Sequence, residues 1–187
     1  MLSAFYPIKK VLSFLVFAIS LNIFAVDKKL GDYANECSAV FLIMTMIPDD
    51  EQWKPFVDNM TNLSQTMNLL AQSIYAEINI NTTYGNIIDA RNIEADKVIA
   101  KFKKNKNDVL AQYARCDKFR EDFAYAALQN PNDDSALINT LKLPPYNVKM
   151  NDNKTALIEM VFDMSFSNME AAGINSIVKL YENIRNP

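Results

Sequence analysis

Residues 53–78, WKPFVDNMTNLSQTMNLLAQSIYAEI, place apolar side chains at Trp53, Phe56, Met60, Leu63, Met67, Leu70, Ile74 and Ile78. The steps alternate between three and four residues as far as Ile74 and end on a second step of four, the spacing that keeps one face of an α-helix against a partner along its whole length. A half-buried strand needs strict alternation, which this stretch lacks. Pro55 suits the first turn of such a helix, where its missing N–H costs no hydrogen bond. Asp49 and Asp50 stand where an N-cap and first-turn acids belong. A helix with one apolar stripe cannot bury it alone, so the flanking chain must supply matching helices.

Upstream, Leu30, Tyr33, Cys37, Val40, Phe41, Met44 and Ile47 form a single stripe of helical period, ended by Pro48. Downstream, Asn79 to Gly85 reads as a break in which Asn81, Thr82 or Thr83 caps a third helix. That helix turns Ile88, Ala95, Val98, Ile99 and Phe102 inward. It ends in Lys101, Lys103, Lys104 and Lys106, cations that complement the negative end of the helix dipole. Asn107 or Asp108 is expected to cap a fourth helix, with Val109, Tyr113, Cys116, Phe119 and Phe123 on its inner face. A polar loop from Gln129 to Asp134, a short helix from Ser135 to Leu141 and an irregular stretch from Leu143 to Met150 follow. Lys154 to Ile184 again shows helical spacing through Leu157, Met160, Val161 and Met164, with Gly173 as a kink or junction. Only 3 glycines occur in 187 residues, and strand signals are nearly absent. The expected fold is therefore all-α, a single-domain bundle of about five to six helices spanning residues 26–187.

The first 25 residues read differently. Lys9 and Lys10 precede an apolar stretch from Val11 to Phe24, and Ala25 offers a small residue for cleavage, the layout of a secretory signal peptide. The apolar run is shorter than the roughly 20 residues that span a bilayer, so stable membrane insertion after cleavage is not expected. The expected location is periplasmic or secreted. An oxidising compartment allows Cys37 and Cys116 to pair. Both project from apolar stripes, so a bridge between the first and fourth helices is sterically reasonable.

Composition narrows the chemistry. The chain has no histidine, which removes Ser-His and Cys-His catalysis and imidazole metal sites. Gly31, Gly85 and Gly173 are isolated, so no phosphate-cradling glycine loop and no nucleophile elbow can be written. The net charge of −3 becomes more negative when the two lysines of the leader leave, which argues against nucleic acid as a partner. Asn151, Asp152 and Asn153 fail the calcium-loop pattern, because Leu157 stands where glycine is required. Asp49, Asp50 and Glu51, like Asp133 and Asp134, are placed as helix-start acids. No cofactor is called for. Met44, Met60, Met67, Met160 and Met164 fall on the apolar stripes and read as gap-fillers of the core, whereas Met46 lies off them.

The expected function is an exported, non-enzymatic interaction protein: an inhibitor, an immunity-type protein or an envelope accessory protein, with another extracytoplasmic protein as partner. Partner contacts are expected at Trp53 and Phe56 and in the irregular segment with Pro144, Pro145 and Tyr146. Two alternatives come from other classes. One is a carrier of an apolar small molecule in a cavity between helices, and the other a histidine-free carboxylate hydrolase.

Overall fold

Between Cys37 and Met44 the chain carries no charged side chain, and every one of these residues is buried. They run through the second half of α1 (Lys28–Ile43) in the computed structural model of the protein, which describes residues 28–47, 49–128, 152–174 and 176–179. The single stripe expected for this helix is thus a correction over Cys37 to Ile43, where α1 is buried all round, while Lys28, Lys29 and Asp32 at its start are exposed. The reason is its place. Helix α2 (Lys54–Glu77), α3 (Tyr84–Lys104) and α4 (Lys106–Leu128) all pack on α1, and α5 (Asp152–Ala171) joins the group through α4. The result is an all-α single-domain bundle, with five helices among the described residues and the Cys37–Cys116 disulfide between α1 and α4. Residues 1–25, Pro48 and the short helix expected over Ser135–Leu141 lie outside the described residues.

Small residues on α1 set how closely its neighbours approach. A Cβ on Gly31 would stand 2.7 Å from the Tyr75 ring of α2, so glycine there lets the ring lie against the helix backbone. Tyr75 then reaches past to donate its hydroxyl to Asp32 Oδ1. About two turns further along α1, Ser38 donates to the carbonyl of Ser64 at 2.7 Å, and Ser64 donates to the carbonyl of Ser38 at 2.9 Å.

The helix ends follow local chemistry, with two corrections. Pro55 lies in the first turn of α2 as expected, but no side chain caps that helix at its N-cap, Trp53. Asp50 instead accepts the backbone N–H of Gln52, and its carbonyl accepts that of Trp53, so it builds the turn ahead of the helix. Thr83 and Asn86 form a capping box at the start of α3. At α4, Asn105 rather than Asn107 or Asp108 does the capping: its side chain accepts the N–H of Asn107, because a single residue separates α3 from α4. Helices α2 and α5 both end in a left-handed residue, Asn79 (φ 58°) and Gly173 (φ 68°). In each, the next residue donates five positions back, Ile80 to Tyr75 and Ile174 to Met169, satisfying carbonyls the helix leaves open.

The core face of α5 is the fourth correction. Of the expected inward set Leu157, Met160, Val161 and Met164, Val161 is fully buried and Leu157 and Met164 pack half-buried against the core, but Met160 is exposed, and the centre of the face is made by Ile158, Phe162, Ser165, Phe166 and Met169 instead. Phe162 packs edge-on against Tyr113, which meets Phe41 of α1 in the same way. Phe166 stacks on Phe102 of α3 with ring centroids 3.7 Å apart. This aromatic column runs from α1 through α4 to α5 and α3, and it decides which side of α5 turns inward.

Candidate functional site

The predicted positions fall into three groups. Cys37 and Cys116 are fully buried and bonded, with Cα atoms 5.2 Å apart, so they staple α1 to α4 and offer no thiol to solvent. Trp53 and Phe56 meet edge to face, with centroids 5.9 Å apart, and lie half-buried against the core at the start of α2. Pro144, Pro145 and Tyr146 lie outside the described residues.

A polar cluster in the interior went unforeseen. With its amide oriented to satisfy both its ends, Asn35 of α1 donates to the Ile87 carbonyl of α3 at 3.2 Å and accepts the Arg91 backbone N–H at 3.0 Å. It also donates to Asn68 Oδ1 of α2, while the Arg91 guanidinium holds Asn92 Oδ1. These contacts join three helices. Their signal in the sequence is weak, because asparagine in a helical stripe reads as solvent-facing. Nearby, Gln112 spans Glu36 and Lys101, which engages one member of the lysine cluster. On α4, Asp117 and Arg120 form a buried ion pair at 3.0 Å.

The surface that remains to be explained is the outer side of α5. At 3.6 residues per turn, Ala156, Met160 and Ala171 lie opposite the face that carries Ile158, Phe162 and Phe166, and Met164 stands at the border, half-buried against the core. They line a groove of about 650 Å³ together with Ser167 and Asn168. Met160 is 43% exposed, so its expected role as a core gap-filler is also corrected. Glu159 and Asp163 border the groove one turn apart. Both pair with Lys106 of α4 at 2.7 Å, which holds α5 against α4 and raises the lysine pKa through those two hydrogen bonds. Asn168 donates to the Met46 carbonyl and so ties this helix to the chain that leaves α1. The clue was present: α5 carries apolar residues on two opposite faces, and one core needs only one of them.

Among the described residues, no group of three or more histidine, cysteine or acidic side chains is arranged to hold a metal ion, and no helix is long and apolar enough to cross a membrane. Comparison with protein-family models, with curated proteins and with solved structures finds no match.

Proposed function

We propose that the chain is an exported interaction protein whose work is binding rather than catalysis, and that the outer face of α5 is its contact surface. The observation that carries this reading is the outer side of α5, where the exposed Met160 stands between Ala156 and Ala171, with Met164 at its border and carboxylates along one edge. Unbranched thioether side chains adapt their shape to a partner at low energetic cost, which suits a contact surface. The groove lies open along the helix rather than enclosed between helices, and small-molecule carriers bury most of their ligand. The leader-like residues 1–25 and the disulfide support an oxidising, extracytoplasmic setting.

The test uses a photo-reactive amino acid in place of Met160, expressed in the native host. Irradiation is expected to give a discrete adduct with one extracytoplasmic protein, on a chain whose intact mass lacks the leader. Absence of any adduct from Met160, or retention of residues 1–25, overturns the reading.

A further inference from the structure

We propose that the outer face of α5 receives one amphipathic α-helix of a partner protein, apolar on the side that enters the groove and rich in lysine or arginine on one flank. This inference rests on the interaction reading above and names its partner. The dimensions fit. Ala156 to Ala171 extends over about 22 Å at 1.5 Å per residue, room for roughly four turns of a second helix. Alanines at both ends allow a helix backbone to come close, while Met160 and Met164 between them mould to whichever apolar side chains arrive.

Charge selects the flank. Glu159 and Asp163 stand on one edge of the groove, with side chains 45% and 51% exposed, and share the single cation Lys106. One negative charge is left in excess at the rim. A cation on the incoming helix meets it, whereas an acid there is repelled. The same edge disfavours a second copy of this chain. In an antiparallel two-fold pairing, Glu159 and Asp163 of the two copies fall on the same side and repel. In a parallel pairing they face the Asn168 edge, and none of the described residues lining the groove is a cation.

The experiment uses the intact, disulfide-bonded chain and two labelled synthetic helices of 18 residues, read by fluorescence anisotropy. One helix combines leucines at spacings of three and four with lysines, and the other replaces the lysines by glutamates. The leucine–lysine helix is expected to bind at least about tenfold more tightly than the leucine–glutamate helix. Met160→Gln and Asp163→Asn each weaken it several-fold, while Asp89→Asn, the same charge change on an exposed position of α3, leaves it unaltered. Equal binding of both helices, or equal weakening by Asp89→Asn, overturns the proposal, since attraction would then be diffuse. A fall of several degrees in the melting temperature of Met160→Gln overturns it too, because the face would be covered by the chain itself. So does a dimer in sedimentation that Met160→Gln disperses. If neither helix binds while Met160 still photo-crosslinks to a host protein, the helix proposal fails and the interaction reading stands.

Discussion

Ser38 and Ser64 hold α1 and α2 together through a reciprocal pair of hydrogen bonds, each hydroxyl donating to the other residue's backbone carbonyl. Both side chains are buried, and the pairing requires the helix backbones to approach closely. Replacing either serine by alanine removes one donor without stranding a polar partner, since helical carbonyls already accept a bond within the helix. The expected loss is about 1 kcal/mol for each. Ser38→Val, which forces branched bulk into the same gap, is expected to cost about 1–3 kcal/mol. Urea denaturation at constant m-value reads both.

Gly31 makes a sharper case, because the sign of its substitution depends on a neighbour. Alanine at Gly31 brings a Cβ to 2.7 Å from the Tyr75 ring, so the ring must move and its hydrogen bond to Asp32 is lost. Gly31→Ala is therefore expected to destabilise the chain. In a Tyr75→Ala background the obstruction is gone, and the same substitution should stabilise by about 0.5–1 kcal/mol through helix propensity alone. A double-mutant cycle on thermal or urea melting shows the reversal.

Much of this fold was legible in the chain, and the failures share a cause. The stripe from Phe56 to Ile74, the Thr83 cap, the turn before α3 and the Cys37–Cys116 pairing all follow from local spacing and chemistry. Local signals carry no information on how many neighbours a helix has. Thus α1 showed one stripe but sits among three helices, and Ser38, Ala39 and Leu42, off that stripe, are buried as well. On α5, the stripe through Leu157, Met160 and Met164 competed with Ile158, Phe162 and Phe166 for the centre of the core at the same helical period, and it keeps only a half-buried border at Leu157 and Met164 while Met160 is exposed. Only the stacking of Phe166 on Phe102 settles which face turns inward. The site was missed for the same reason, since a face excluded from the core is visible only once the core is known.

Asn79 tests the helix end. Its φ of 58° lies in the left-handed region, where a side chain with Cβ is strained and asparagine is among the better tolerated. Asn79→Ala is expected to lower stability by about 1–2 kcal/mol. Asn79→Gly should be neutral or slightly stabilising, because glycine takes this conformation without penalty. Opposite outcomes for the two substitutions in the same urea series check the assignment.

The Asp32–Tyr75 contact links stability to pH at both ends of the scale. Burial opposes ionisation of Asp32, but hydrogen bonds from Lys28 and Tyr75 outweigh it and hold the carboxyl below its usual range. A depressed folded pKa stabilises the fold above the unfolded value near 4, and the contribution is lost as pH falls through the folded value. Tyr75 is shifted the other way. Burial and the hydrogen bond to Asp32 push its phenol upward, so its contribution is complete below about pH 10 and disappears as pH rises through the folded value. Tyr75→Phe is expected to flatten part of the alkaline loss and part of the acid loss together. Melting temperatures between about pH 2 and pH 12 compare the two chains, and unchanged slopes would remove the contact from the account.

The two faces of α5 make the most direct comparison, because they place similar residues in opposite surroundings on one helix. Phe166 is buried and stacked on Phe102, and Phe162 bridges Tyr113 and Phe102. Truncating either to alanine leaves a cavity in the aromatic column and is expected to cost about 3–5 kcal/mol. Met160 lies on the groove side with nearly half its surface in solvent, so Met160→Ala is expected to change stability by no more than about 0.5 kcal/mol. Lys106 separates the packing of α5 from its electrostatics: Lys106→Met removes the cation shared by Glu159 and Asp163. Because those carboxylates are largely exposed, stability should fall by at most about 1 kcal/mol. The same substitution leaves both rim acids unpaired, so affinity for a lysine-bearing helix should rise while stability falls. A Lys106→Met chain that loses both together would show that the ion pairs build the groove rather than tune its charge.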